Sequence, residues 1–203
     1  AAGLPLLGID NSELEKVSRV LIEYNRGNSL NLLLLRAFVE TQKQEGWERS
    51  TKSLPQQSRR SSRSNLLPIL DLDQMDDQTE GLVRLLASYF CPPESPMIPS
   101  LFRHLAHWPG FLALVSPTIL SAIGSGKVEK ISNELKKQAI DGAPRLAVGM
   151  YTPGIGHAPS EEMREYWLGE IESFLAKPIP EMIVIGRMVE SILPLYGAKP
   201  ASS

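Results

Sequence analysis

The sequence predicts an all-α protein, and three observations predict it. Apolar residues recur at three- and four-residue spacing in one segment after another. Helix start and stop signals stand at the ends of those segments, and no stretch alternates apolar and polar residues with the period of two that a half-buried strand requires. A chain of 203 residues with 42% hydrophobic content can bury one substantial core, so the expectation is one compact unit or two intimately packed halves.

Asp10 or Ser12 can cap a first helix, with Glu13 and Glu15 in its first turn and Val17, Val20, Leu21 and Tyr24 along one face. Gly27 is expected to break it and Asn28 to cap a second helix, in which Leu30, Leu32, Leu33, Leu34, Leu35, Ala37 and Phe38 are apolar almost all round; such a helix is expected to be central. From about 45 to 65 the chain turns polar and aperiodic, with a Ser- and Arg-rich run that reads as a linker; its Arg59, Arg60 and Arg63 can touch a phosphate or simply be solvated.

Asp76 and Asp77 open a helix through Leu82, Leu85, Leu86, Tyr89 and Phe90, which Pro92 and Pro93 are expected to stop. Pro99 and Pro109 each suit the first turn of a helix, and together these two helices form a hairpin. Residues 127–139 read as a charged helix, 143–159 as a Gly- and Pro-rich connection, and Ser160 as the cap of a helix from 161 to about 177. Pro180 is expected to open the last helix, which carries Met182, Ile183, Val184, Ile185, Met188, Val189 and Ile192. The domain reading is 1–46 as the remainder of a first helical repeat, 47–75 as the linker and 76–203 as a second, more complete repeat.

That repeat rests on an alignment at a constant offset of 150 residues, derived by subtracting matched positions such as 21 from 171. Leu21-Ile22-Glu23-Tyr24 lies over Ile171-Glu172-Ser173-Phe174, Asn28 over Pro178, and Leu32-Leu33-Leu34-Leu35 over Met182-Ile183-Val184-Ile185. A duplication of this kind leaves the pair of helices after Pro99 without a counterpart, so an N-terminal portion of the first repeat is expected to be missing. An incomplete repeat leaves apolar faces to cover, which makes a homodimer the expected assembly.

Composition excludes several classes. The single Cys91 rules out an intramolecular disulfide and a multi-cysteine zinc site, and it fits a reducing compartment, with the cytoplasm as default. No apolar run approaches the roughly 18 to 20 residues of a membrane span. With 21 Lys and Arg against 23 Asp and Glu, a net charge of -2 offers no global attraction for nucleic acid. His104, His107 and distant His157 are too few convergent donors for zinc, and Ile123-Gly124-Ser125-Gly126-Lys127 lacks the length and strand context of a phosphate loop, so neither metal nor cofactor is expected. Thr152-Pro153-Gly154-Ile155-Gly156-His157 reads as a connection that either covers a pocket or lies on the surface.

The run Pro99-Ser100-Leu101-Phe102-Arg103-His104-Leu105-Ala106-His107-Trp108-Pro109-Gly110-Phe111-Leu112-Ala113-Leu114 resembles the signature of the group I 2-haloacid dehalogenases, within the alkylhydroperoxidase D-like helical superfamily, and the Tyr24-Asn25-Arg26-Gly27-Asn28 run resembles a helix break in the same family. The resemblance implies an all-helical pseudo-dimer of two repeats with a pocket between them, where an aspartate activates water to displace halide at an α-carbon. Two departures bear on that activity. No Asp or Glu stands between Glu94 and Glu129, so the aspartate has no matching position, and only His104 or His107 of this motif can act as base. The two histidines read equally as a polar helix face. Cys91 stands alone, which argues against the Cys-x-x-Cys peroxidase chemistry of the superfamily's other branch. The resulting expectation is a small-molecule pocket, for a possibly halogenated organic acid, lined by Arg103, His104, His107 and Trp108 on one side and Tyr24, Asn25 and Asn28 on the other. Arg103 would hold a carboxylate. The rival is a binding or assembly protein that kept the fold and lost the base.

Overall fold

The computed structural model describes residues 9–43, 66–91, 97–147 and 160–193, and every regular element among them is helical. Helix α1 runs Asn11–Lys43 without interruption. Of the two expected caps Asp10 serves: its Oδ1 accepts the Glu13 N–H at 2.9 Å. The break expected at Gly27 and the cap at Asn28 do not occur. A glycine inside a helix costs only about 1 kcal/mol relative to alanine, and buried Leu21 and Asn25 before it and Leu32 and Val39 after it hold one face of the helix in the core on both sides of the glycine. The second half of this helix is not apolar-buried all round either, since Leu30, Leu33 and Leu34 face outward.

A 3-10 turn at Leu72–Gln74 precedes α2, Asp77–Ala87. Asp76 caps α2 by accepting from the Thr79 N–H at 2.9 Å and its hydroxyl at 2.7 Å. The helix closes at Ala87 and a turn carries the chain to Cys91, so α2 ends before Pro92 and Pro93, which lie outside the described residues. Helix α3, Ser100–Leu105, follows Pro99, and α4, Pro109–Gly124, starts with proline in its first turn as expected. Gly126, at φ 70°, makes the turn into α5, a left-handed conformation that glycine adopts without a Cβ clash.

Helix α5 runs Lys127–Ala147, past the expected end near 139, because Ala143 and Ala147 are buried and packing outweighs the breaking tendency of Gly142 and Pro144. The Ser160 hydroxyl caps α6, Glu161–Ala176. Helix α7, Pro178–Ile192, opens at Pro178, two residues earlier than the expected Pro180. Shifted by 150 residues, α1 covers the stretch of α6 and α7, yet the break at Lys177 has no equivalent in α1.

Helix α1 lies along α5 and α7, which also touch each other; α6 packs on α7 and α1, and α3 bridges α1, α2 and α4. The larger core gathers the first half of α1 with α2, α3, α4 and α7 around Phe90, Phe102 and Phe111; a smaller one joins Leu32 and Val39 to Ala139, Leu175, Ile179 and Ile183. No single described helix is long and apolar enough to cross a membrane.

The contact of α1 with α7 is close enough to require a glycine. A Cβ on Gly186 would stand 2.1 Å from Asn25 Oδ1, whereas one on Gly27 would meet nothing within 4 Å. Gly186→Ala is therefore expected to destabilise the fold by about 1–3 kcal/mol through overpacking, and Gly27→Ala to stabilise it by about 0.5–1 kcal/mol, both read from urea unfolding; equal effects would contradict this account of the contact.

Candidate functional site

Helices α1 and α3 bring two of the expected site residues together. Tyr24 Oη lies 3.3 Å from His104 Nδ1, with the rings edge to face at 5.7 Å. Burial pushes the Tyr24 phenol up, against the opposing pull of Ser100 and Arg103, so it remains a hydrogen-bond donor at neutral pH. With Tyr24 donating to Nδ1, the imidazole carries its hydrogen on Nε2, which is buried with no partner of hydrogen-bond geometry, although the Leu67 backbone nearby favours the charged ring. Burial, aided by His107, nonetheless holds His104 below the ordinary histidine value. His104 is a neutral, shielded imidazole.

Arg103 and His107 reach the segment before α2, although the His107 ring stays 6.0 Å from that of His104. Arg103 Nε donates to the Leu70 carbonyl at 2.8 Å and its Nη2 pairs with Asp71. His107 Nε2 meets the Pro68 carbonyl at 2.7 Å. The three contacts staple residues 68–71, part of the stretch read as a linker, onto α3 and its C-terminal turn. Trp108, buried ahead of α4, donates its indole N–H to Glu13 Oε2 on α1. The Arg103 fork, the group expected to hold a substrate carboxylate, thus already holds a carboxylate of the chain itself.

Asn25 points at α7 instead: its Nδ2 donates to Glu190 Oε2 at 2.7 Å, and Arg187 Nη1 reaches the same oxygen at 3.1 Å. Asn25 Oδ1 is buried without a partner. Asn28 joins Tyr24 in a cleft of about 180 Å³ between α1, α3 and the α6–α7 junction, with Ser100, Cys91, Ile179 and Met182 among its walls. Burial pushes the Cys91 thiol up, which keeps it a neutral wall group and a poor nucleophile. The expected seven residues therefore fall into three groups: Tyr24 and Asn28 line the cleft, with His104 behind Tyr24 and off the cleft wall; Asn25 stands at the α1–α7 contact; Arg103, His107 and Trp108 serve the staple and the α1 bond. Among the described residues no group of three or more His, Cys, Asp and Glu converges to hold a metal ion. His157 and the Arg59, Arg60 and Arg63 cluster lie outside the described residues.

Over 124 residues the chain is 32% identical to a configuration-inverting 2-haloacid dehalogenase of Alcaligenes xylosoxydans xylosoxydans. This chain is dehalogenase-like in sequence. The similarity covers 57% of the chain and 40% of that relative, so it spans well under half of the relative's length. No family model and no solved structure matches the chain.

Sequence reasoning missed the carboxylates that complete these contacts, Glu13, Asp71 and Glu190, because each comes from a distant part of the chain. It also missed Glu181, which is buried in the first turn of α7 where helical periodicity marks an apolar position.

Two outcomes follow from this geometry. Removing Arg103 by substitution with alanine is expected to speed amide hydrogen exchange in residues 69–74 by about tenfold or more, since it deletes two bonds worth about 1–3 kcal/mol together; unchanged exchange there would dissolve the staple. His104, held below its ordinary 6.5 in the folded state, takes up its proton more readily in the unfolded chain. Stability is therefore whole above that value and lost as pH falls below it. The melting temperature should drop more steeply between pH 7 and 5 in the wild type than in His104→Gln, and an equal or shallower wild-type slope would count against a shielded neutral ring.

Proposed function

We propose that this chain is a dehalogenase-like protein that binds a small organic acid in the cleft between α1, α3 and α7 and does not hydrolyse it there. The observation that carries the reading is the cleft's chemistry: Tyr24, Ser100 and Asn28 offer neutral hydrogen-bond donors, Ile179, Met182 and Phe174 offer an apolar wall, and no carboxylate lines it. Displacing a halide with water needs a base within hydrogen-bond reach of that water. His104 does not line the cleft, its Nδ1 is engaged by Tyr24, and its Nε2 is buried. The Arg103 pairing with Asp71 supports the same reading, since the guanidinium expected to anchor a substrate is committed to the fold. Similarity to a 2-haloacid dehalogenase makes halogenated short-chain acids the first ligands to test. The two-repeat, pseudo-dimeric arrangement implied by the family signature belongs to this proposal. So does a homodimer, which is supported by exposed Leu30, Leu33 and Leu34 on one face of α1.

The test is halide release from 2-chloropropionate and 2-bromobutyrate by the full-length protein, alongside thermal shift with the same acids. The expected outcome is no release above buffer, with a stabilising shift that Tyr24→Phe or Asn28→Ala weakens severalfold. Release that disappears in His104→Ala would overturn the binding-only reading and make the histidine a base.

A further inference from the structure

A second and larger cavity, of about 410 Å³, opens on the other side of the α6–α7 junction. Its walls come from the end of α2 with Tyr89 and Phe90, the end of α4 with Ile123, the first turns of α5 with Val128 through Lys136, and the junction residues Ala176 and Lys177. Glu181 lines it too. That side chain is 8% exposed, and its Oε2 is buried without any hydrogen-bond partner among the described residues. A carboxyl group in this state costs the fold stability, because burial disfavours the charged form and no hydrogen bond of the described residues replaces the lost hydration of that oxygen. Burial accordingly pushes Glu181 up, with Glu129 adding to the effect and Lys177 and Lys136 opposing it. Phe90, Ile123 and Val128 could be joined by another apolar side chain at position 181 with less cost. A buried carboxyl without a hydrogen-bond partner at the wall of a cavity points to a binding position.

The charges around the cavity come in both signs. Glu181 and Glu129 supply two carboxylates; Lys177 and Lys136 supply two ammonium groups, of which Lys136 Nζ is partly committed to the Ala176 carbonyl at 2.9 Å. An ammonium on a ligand pairs with the Glu181 carboxylate at the cavity wall, a carboxylate on the same ligand answers Lys177, and the Phe90, Ile123 and Val128 wall accepts an apolar side arm. A lone amine would leave the lysines unanswered, and a lone acid would add a third negative charge beside Glu181. We propose that this cavity binds a free amino acid with an apolar side chain, its ammonium against Glu181 and its carboxylate toward Lys177. The site is separate from the cleft of the proposed function and does not depend on it.

The deciding experiment is isothermal titration of the full-length protein with L-leucine, with 3-methylbutylamine, which lacks the carboxylate, and with 4-methylpentanoate, which lacks the amine. Leucine is expected to bind at least tenfold more tightly than either analogue, and Glu181→Gln to weaken leucine by tenfold or more. The same variant should melt at or above the wild-type temperature near pH 7, because it removes an unpaired buried charge. The difference should shrink as pH falls toward 4.5, because the folded carboxyl, held above that ordinary value, is already neutral before the unfolded chain's is. No heat with leucine, an analogue that binds as tightly, undiminished binding in the variant, or a variant that melts below wild type would each overturn the inference, the last by making Glu181 a structural partner.

Discussion

Burial of a single stripe along α1 is the constraint on which the rest of the architecture depends. Val17, Val20, Leu21, Asn25, Leu32 and Val39 keep helical register over the length of α1, and each apolar member is almost fully removed from water. At roughly 1.5–3 kcal/mol for each large apolar side chain buried, that stripe outweighs the cost of Gly27 severalfold. It explains why the helix is continuous and why α5 and α7 lie against it. It also sets where polar groups can stand: Asn25 falls inside the stripe, so its amide must be met by Glu190, and α7 must present a glycine beside it.

Much of this was legible from local chemistry. Asp76, Ser160 and Pro109 mark helix starts by mechanisms confined to a few residues, and each operates as read. Gly27, Gly142 and Pro144 misled for one physical reason: breaking tendencies of about 1–3 kcal/mol per residue are smaller than the packing of the helix on either side. Propensity is written locally, while the opposing burial comes from residues more than a hundred positions away.

The site was less legible than the fold. Tyr24 and His104 do meet, but nothing in the spacing of Arg103 and His107 reveals that their partners are the Pro68 and Leu70 carbonyls and Asp71. A guanidinium that binds a ligand carboxylate and one that binds a chain carboxylate have the same sequence signature. Glu181 was hidden for a different reason: amid Met182, Ile183, Val184 and Ile185 it looks like a solvated first-turn acid, and only its burial sets it apart.

The uninterrupted course of α1 also limits how this chain can change length. One residue inserted near Gly27 would rotate everything after it by about 100°, carrying Leu32 and Val39 off their buried contacts and putting exposed Asn31 where Leu32 had packed. The α6–α7 pair, with Lys177 already outside both helices, has a joint where such a change can be absorbed. Of two stretches of equal span, one is thus closed to insertions and deletions and the other is tolerant of them.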